Sequence, residues 1–303
     1  MKINALNLPE VLIKSDRATS AASSLVLNAL DFQLRNVNSA QDMLRNVPGL
    51  ITAQHAGGGK AEQIFLRGFD VDHGTDVAAY VDGMPVNMPS HGQRAKAILD
   101  LHFLIPELVK NVDIYKGTYF ADLGDFATAG AIKFTTLDNL DKNVFQTEIS
   151  SVPSQRGFSA ARNLLMYQLP FSNNKISSYV ASEYIYAPSY FEASQNFNRL
   201  NIASKTVFNG SEKTKIALSL SHFNSSWDAS GQIPQRAIDA GLINRFGSID
   251  NREGGNTGRQ NINLTHTYFT NNQSFETQTY VSRYHSNCFQ ILLSLKMIRS
   301  MAT

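Results

Sequence analysis

The chain has 303 residues, with 27 basic and 25 acidic side chains and a net charge of +2, so it lacks the basic excess typical of nucleic-acid-binding proteins. Its single cysteine excludes an internal disulfide framework and any CxxC metal site. Charged residues make up 17% of the chain and hydrophobic residues 43%, and the remaining share of neutral polar residues suits extended strands with one polar face.

The first residues, MKINALNLP, do not resemble a secretory signal peptide. Asn4 and Asn7 interrupt the apolar residues and Pro9 follows directly, whereas a signal peptide needs roughly 7–15 apolar residues after a basic segment. No stretch reaches the roughly 20 apolar residues of a membrane-spanning helix. The start therefore indicates either a chain retained in the cytoplasm or one whose natural start lies upstream.

Residues 1–140 alternate between helix and strand signals. Ser39 and Asp42 match the S-x-x-D pattern, whose side chains accept hydrogen bonds from the free N–H groups of a first helical turn. This pattern predicts a short helix that ends at Asn46, before Pro48. A further helical turn is predicted at 105–110, and apolar runs bounded by turn residues predict strands at 64–66, 77–81, 112–115 and 131–135. A small α+β domain is the expected result.

Residues 141–286 carry long alternating runs. In the segment 261–268, every second residue (Ile262, Leu264, His266 and Tyr268) falls on one side, and Asn or Thr falls on the other. Similar runs predict about seven strands, many of roughly ten residues, joined by short polar turns and one long insertion at 225–257. Short turns on one side and long loops on the other are typical of a membrane β-barrel. A soluble β-sandwich, which also alternates, is the alternative.

The composition changes again near Ser286. Residues 287–303 contain Cys288, the only cysteine, and show neither period-2 alternation nor turn residues. This change predicts an aberrant tail of out-of-frame sequence. The alternative is a natural tail, or a helix with Ile291, Leu292, Leu295 and Ile298 on one face.

Residues 9–136 resemble the plug domain of TonB-dependent outer-membrane receptors. Six segments occur in the order and spacing of that family: LPEV at 8–11, AQDML with VPGL at 40–50, IFLRGF at 64–69, YVDGMPV at 80–86, VKNVDIYKG at 109–117 and GDFATAGAI at 124–132. Residues 143–285 are similar to the first strands of the receptor barrel. The resemblance implies an α+β plug domain at 1–140, followed at 141–286 by antiparallel β-strands of an incomplete transmembrane β-barrel.

The family resemblance also implies a function. Such a receptor binds a scarce ligand, for example a metal chelate or siderophore, and imports it across the outer membrane with energy transmitted by TonB. The expected partners are TonB, outer-membrane lipid and the small-molecule ligand, and no cofactor is required. A plug-enclosing barrel has about 22 strands, so the chain is expected to be a fragment, truncated at its C-terminus, of a parent protein in the outer membrane. The alternative is a stand-alone periplasmic plug-like module that binds or signals without transport.

Two groups of residues follow from the resemblance. Glu10, Val11, Leu12 and Ile13 lie where a TonB-contacting segment is expected, and such an extended segment can add a strand to the sheet of a partner. Arg67 and Gly68 match a plug position that packs on the inner barrel wall. An ion pair of Arg67 with barrel carboxylates could shift during gating, and a static structural pair is the alternative.

Histidines and carboxylates cluster in the predicted plug loops. The ligand or metal candidates are His55, Asp70, Asp72, His73, Asp76, His91 and Arg94. Imidazole and carboxylate groups suit transition metals, so His73 and His91 are predicted metal contacts, with ordinary loop capping as the alternative. A metal hydrolase built on the same residues is disfavoured because the chain has neither G-x-S-x-G nor H-E-x-x-H, and the protein is expected not to be an enzyme.

Overall fold

The computed structural model describes most of the chain between residues 23 and 289. The described residues are 23–28, 31–32, 37–53, 63–69, 76–88, 99–150, 160–172, 175–188, 191–211, 213–230, 233–248, 250, 253–270 and 273–289. None of the helices among them is long and apolar enough to cross a membrane.

The first part of the chain forms a five-stranded sheet with a separate hairpin. The sheet has the order β1-β6-β7-β4-β5, in which only β4 and β7 run parallel. Strands β2 and β3 form the antiparallel hairpin. The strands are β1 (Ser23–Asn28), β2 (Leu50–Ala53), β3 (Gln63–Leu66), β4 (Val77–Val81), β5 (Met84–Pro85), β6 (Val109–Lys116) and β7 (Gly130–Thr136).

The predicted short helix is confirmed at Ala40–Leu44. The Ser39 hydroxyl accepts a hydrogen bond from the Asp42 backbone N–H at 3.2 Å, as the S-x-x-D pattern predicts. The helical turn predicted at 105–110 is shorter, because it is a 3-10 turn at Pro106–Leu108 that leads directly into β6. Strands β1, β2 and β5 were not predicted from the sequence.

The core of this part lies between one face of the sheet and the helix. Met43 and Leu44 of the helix pack in one buried cluster with Ile114 of β6 and Ile132 of β7. Phe223, which lies far away in the second part of the chain, belongs to the same cluster and is fully buried. The two parts therefore share apolar core.

The second part is one antiparallel sheet of seven strands that follow each other in chain order. They are β8 (Val144–Ser150), β9 (Ala160–Leu169), β10 (Ile176–Ala187), β11 (Phe197–Ser211), β12 (Thr214–Asp228), β13 (Gly254–Phe269) and β14 (Ser274–Phe289). The predicted number of strands is confirmed, although β11 to β14 are longer than predicted, at 15 or 16 residues each. A single continuous sheet is not the two-layer β-sandwich of the alternative.

The two ends of this sheet differ. Connections at 170–175, 212–213 and 270–273 are short, and we call this end the short-turn rim. Connections at 151–159, 188–196 and 229–253 are longer, and we call this end the long-loop rim. This asymmetry is the one predicted from the sequence.

The end of β14 overlaps the first residues of the predicted aberrant tail. The strand continues past Ser286 to Phe289, with Asn287 and Cys288 paired to Asn256 and Gly255 of β13. Residues 290–303 lie outside the described residues, so the aberrant tail remains a prediction.

Candidate functional site

The candidate site is the interface between the first part of the chain and the inward face of strands β8 to β14, which we call the wall. One transverse row crosses six wall strands, because the strand register places its members side by side. The row consists of Leu164, Glu183, Asn201, Phe223, Arg259 and Tyr284. Segment 99–107 of the first part lies against it, as the contacts below show.

Glu107 and Arg162 form the strongest ion pair of this interface. The two Nη atoms of Arg162 each lie 2.7 Å from a carboxylate oxygen of Glu107. The Nε–H of Arg162 donates to Glu183 at 2.8 Å, and Arg199 donates to the other oxygen of Glu183 at 2.9 Å. Glu183 is fully buried, and a buried carboxylate is tolerated when hydrogen-bonded cations surround it. Glu107 of the 3-10 turn is thereby bound to Arg162 of β9 and, through Arg162 and Glu183, is connected to β10 and β11.

Asp100 and His102 make a second buried contact closer to β13 and β14. The Nδ1 atom of His102 lies 2.9 Å from Asp100 Oδ1, and the Tyr284 hydroxyl donates to Asp100 Oδ2 at 3.2 Å. Asn201 donates to the backbone carbonyl of His102 at 2.8 Å, and the His102 ring stacks on Phe223. Burial alone would raise the pKa of Asp100, but its charge interaction and hydrogen bonds with His102 hold this pKa below its usual value.

Arg259 holds the same region through backbone and aromatic contacts. Its guanidinium donates to the Val86 carbonyl at 3.0 Å and lies 4.8 Å from the ring centre of Phe103. The residue is 1% exposed. Since a buried guanidinium is costly without partners, these contacts fix the position of the first part on β13.

The turn between β4 and β5 docks nearer the short-turn rim. The Asp82 carboxylate accepts hydrogen bonds from the Thr136 N–H at 2.9 Å and from Lys205 at 3.3 Å. The Asp82 backbone carbonyl accepts from Asn263 at 3.0 Å and from Gln278 at 2.8 Å. The turn therefore contacts β11, β13 and β14 at once.

The connection from β7 to β8 is tied to the same wall. Asp138 pairs with Lys205 at 3.1 Å and with Lys215 at 2.6 Å. Burial alone would raise the pKa of Asp138, but Lys215 and Lys205 hold this pKa below its usual value. Leu140 is buried in a cluster with Leu164, so this connection has both polar and apolar anchors.

Arg67 and Gly68 lie in the turn after β3, with positive φ values of 54° and 80°. The Arg67 side chain is exposed, and its backbone N–H donates to the Gly49 carbonyl at 2.8 Å. Within the described part of the chain, no carboxylate pairs with it. Lys116 lies nearby and donates to the Pro48 carbonyl at 2.8 Å, and burial, with the charge of Arg67, lowers the pKa of Lys116. The gating role of Arg67 remains a prediction.

Most other predicted site residues lie outside the described residues. These are Glu10, Val11, Leu12, Ile13, His55, Asp70, Asp72, His73, His91 and Arg94. Asp76 is described, and its backbone carbonyl accepts from the Ala129 N–H at 2.8 Å. The described residues contain no group of three His, Cys, Asp or Glu side chains positioned to hold a metal ion.

The sequence predictions missed the charged wall residues. Arg162 and Glu183 are the single charged residues of β9 and β10, and Arg199 and Lys205 are the two charged residues of β11, all on the inward face. Isolated charges of both signs on the polar side of alternating strands are a usable signal, since inward charges of a barrel must find partners or water.

Comparison with known proteins identifies the first part of the chain. The family model for the TonB-dependent Receptor Plug Domain matches residues 16–131. This part of the chain is therefore similar to the plug domain of TonB-dependent receptors. The curated Vitamin B12 transporter BtuB of Vibrio vulnificus (strain CMCP6) is 28% identical over 115 residues, which cover 38% of the chain and 18% of the transporter.

Solved receptor structures share the fold of plug and wall together. The unliganded ferric citrate transporter FecA superposes with a TM-score of 0.74 at 16% identity, covering 89% of the chain and 40% of FecA. The siderophore receptor PirA from Acinetobacter baumannii gives 0.69 at 16% identity, covering 87% of the chain and 40% of PirA. The ferric yersiniabactin uptake receptor FyuA from Yersinia pestis gives 0.65 at 17% identity, covering 88% of the chain and 41% of FyuA.

These comparisons confirm the fold class predicted from the sequence, a plug followed by strands of an incomplete barrel. The chain spans about two fifths of the length of these receptors. The matched proteins are transporters and receptors, which confirms the prediction that this protein is not an enzyme.

Proposed function

We propose that the protein is part of an outer-membrane receptor that imports a siderophore or a similar metal chelate with energy transmitted by TonB. The observation that carries this proposal is the seating of the plug, by buried ion pairs, against a wall whose inward face is polar. The Asp82, Asp100 and Glu107 contacts occupy the space that a ligand would have to cross. A plug held in this way closes the barrel until it rearranges.

The ligand class is supported by the similar proteins. FecA is a ferric citrate transporter, PirA is a siderophore receptor and BtuB is a vitamin B12 transporter. Our proposal places the ligand on the long-loop side, where the predicted contacts His55, Asp70, Asp72, His73, Asp76, His91 and Arg94 would meet it.

The outward face of the strands suits lipid. Large apolar side chains such as Leu165, Ile202, Leu218 and Leu264 are 37–46% exposed on this face. Outward apolar and inward polar residues alternate over 218–221 of β12 and 261–264 of β13, as in outer-membrane barrels. We therefore place the parent receptor in the outer membrane, with lipid as a partner of this surface.

The seven described strands form an open sheet, because β8 and β14 each pair on one side only. Unpaired edges in lipid cost several kcal/mol for each unsatisfied backbone group. Transport is accordingly proposed for a closed receptor that contains this sheet and further strands.

The wall contacts also argue against the stand-alone plug module. Glu183 and Arg199 lie at 0% and 4% exposure and bind each other beneath the plug. The buried His102 and Asp100 of the plug, which bond each other, each take a further partner from the wall. A separate plug would expose these groups and lose their hydrogen bonds.

In this proposal, gating depends on the position in the chain at which TonB pulls. TonB contacts Glu10, Val11, Leu12 and Ile13 at the N-terminal end, whereas the wall contacts described above come from residues 82–140. A pull at the N-terminus therefore reaches β1 and the β2–β3 hairpin before it reaches the anchors. Arg67, which precedes Gly68 at the end of this hairpin, would then form an ion pair with a barrel carboxylate as the hairpin moves.

Uptake measurements test the proposal. Bacteria that lack their own receptor and express the complete parent receptor are supplied with labelled ferric citrate, a labelled ferric siderophore or cobalamin. We expect uptake of one of them in cells with TonB and none in matched cells without TonB. Uptake that is equal in both strains contradicts the energy coupling, and ligand capture by secreted residues 1–140 without any uptake by the receptor supports the stand-alone module instead.

A further inference from the structure

The outward face of the wall contains one permanently cationic side chain among the described strands β8 to β14. This residue is Arg283 of β14, which is exposed and lies opposite Gln260 of β13. Its direction follows from its neighbours, because Ser282 and Tyr284 both point inward to Asn261 and Asp100. Alternation therefore turns Arg283 outward, toward the proposed lipid.

Two histidines lie beside Arg283 on the same face. His222 of β12 is in the same transverse row, since both residues pair with Gln260 of β13. His285 is two residues further along β14, about 7 Å away at the usual rise of a strand. His222 is about 10 Å from Arg283, at two strand spacings. All three side chains are exposed.

Gly258 fixes where His285 points. A Cβ atom at Gly258 would lie 2.1 Å from Cε1 of His285, so the imidazole lies across the backbone of β13 at this position. It therefore leans toward β12, where Asn224 is the partner of Gly258 and His222 is two residues away. The glycine brings the two imidazoles and Arg283 toward one shallow site, which we call the cationic patch (His222, Arg283 and His285).

The cationic patch adjoins an apolar row on its three strands. The next outward residues toward the short-turn rim are Leu220, Ile262 and Val281, which are 41%, 51% and 63% exposed. Toward the long-loop rim, the outward residues up to Asn287 are polar or glycine, namely Asn224, Ser226, Asn256, Gly258 and Asn287. This is the boundary between apolar and polar zones, where an outward arginine costs far less than it does at the membrane midplane.

The charge of the patch is not balanced by an outward acid close to it. On the outward faces of β12, β13 and β14 the single carboxylate is Asp228, at the end of β12, and it accepts a hydrogen bond from Asn196 at 2.8 Å. Basic side chains at a membrane surface attract anionic lipids, and guanidinium groups bind phosphate with two parallel hydrogen bonds.

We propose that the cationic patch binds the phosphate of an anionic lipid head group at the long-loop boundary of the membrane. The inference rests on the proposed function only in placing the strands in a membrane. Arg283 supplies the permanent charge, and the two imidazoles add hydrogen bonds. The occupant is a lipid rather than free phosphate, because the apolar row Leu220, Ile262 and Val281 adjoins the patch and offers a surface for acyl chains.

Native mass spectrometry of the detergent-solubilised chain tests this inference. The probes are lipid A, which carries phosphates, the zwitterionic lipid phosphatidylethanolamine, and inorganic phosphate. We expect lipid A to be retained in preference to phosphatidylethanolamine, and Arg283→Gln to weaken this retention about fivefold, as expected for one basic residue near a membrane surface. Arg283→Lys keeps the charge but not the two parallel hydrogen bonds, so it should weaken retention less than Arg283→Gln.

Arg236→Gln is the matched control, because it removes an equal charge from an exposed position on the long loop, away from the strands. The inference is overturned if Arg283→Gln retains lipid A like the unaltered chain, if Arg236→Gln weakens retention equally, or if inorganic phosphate binds and lipid A does not.

Should Arg283→Gln lose its circular-dichroism strand signal, the double variant His222→Gln/His285→Gln replaces it. Severalfold weaker retention of lipid A by this double variant supports the patch, and unchanged retention overturns it. Import is measured independently by ligand uptake, so either proposal can fail alone.

Discussion

Glu107 of the plug and Arg162 of β9 form a two-point ion pair, with both contacts at 2.7 Å. The pair joins the 3-10 turn of the plug to the first half of the wall. Glu148 of β8 approaches the same guanidinium less closely, at 3.4 Å, and its side chain is 35% exposed. The two carboxylates therefore offer a matched comparison.

Replacing Glu107 with Gln should lower the free energy of unfolding by about 1.5–3 kcal/mol, because the charge-assisted hydrogen bonds are lost while Arg162 stays buried. Glu148→Gln should cost at most about 1 kcal/mol, since its contact is longer and more exposed. Denaturant unfolding of the detergent-solubilised chain measures both. Equal losses in the two variants would show that the Glu107 pair does not anchor the plug.

Gly83 tests the docking of the β4–β5 turn. Its φ is +77°, and an added Cβ would lie 2.9 Å from Oε1 of Gln278 on β14. Gly83→Ala should destabilise the chain by roughly 1–2 kcal/mol for the left-handed backbone, with about 1 kcal/mol more for crowding against the wall. Thermal or denaturant unfolding measures the sum.

Gly241→Ala separates the two contributions. Its φ is similar, at +69°, but an added Cβ would meet nothing within 4 Å. We expect Gly241→Ala to show the backbone effect alone, and Gln278→Ala to relieve part of the Gly83→Ala loss. If Gly83→Ala and Gly241→Ala cost the same, the turn is not pressed against β14.

Alternation along the strands was sufficient to predict the number of wall strands, their polar inner face and the asymmetry of the rims. Alternation was not sufficient to predict the contacts between plug and wall. It indicates on which face of the sheet Arg162 and Glu183 lie, but not which plug residue lies opposite them. Glu107 precedes Arg162 by 55 residues, and their contact depends on how the plug is rotated inside the wall. Short elements such as β1 and β5 depend on pairing with β6 and β4, which no local pattern reveals.

The pH dependence of stability should reveal Asp100. Its pKa is lower in the folded chain than in the unfolded chain, so its carboxylate stabilises the fold above the usual aspartate pKa of about 3.9, and this contribution is lost as the pH falls through the folded-state value. Asp100→Asn should therefore lower the free energy of unfolding at neutral pH by a constant amount that shrinks below about pH 4. Unfolding measured across this range checks the prediction.

Asp113 of β6 provides a control, because its pKa is shifted in the opposite direction to that of Asp100. Burial raises its pKa, although Lys133 and Asn111 lower it in part, so its charged form disfavours folding once the pH exceeds the folded-state value. Asp113→Asn should lose less stability at neutral pH than at low pH. A parallel pH profile for the two variants would contradict the assignment of these shifts.

Metal titration tests the predicted contacts His73 and His91. If they hold a metal ion, the chain should bind Zn²⁺ or Ni²⁺ by isothermal titration calorimetry, and His73→Ala/His91→Ala should remove the signal. His266→Ala is the matched control, since it lies on β13 far along the chain from both. Unchanged binding in the double variant, or its absence in the unaltered chain, leaves these histidines as ordinary loop residues.

The TonB contact is tested by a proline in the predicted segment. Val11→Pro removes a backbone N–H donor and fixes φ near −65°, which disrupts strand addition to the sheet of a partner. We expect it to weaken binding to the purified periplasmic domain of TonB at least about tenfold, the effect of losing roughly 1.4 kcal/mol. Ala21→Pro, outside the predicted contact at Glu10–Ile13, should bind like the unaltered chain. Equal affinity for the unaltered chain and both variants would show that TonB contacts a different segment. Equal weakening by both prolines would indicate that TonB recognises the whole N-terminal segment rather than these four residues.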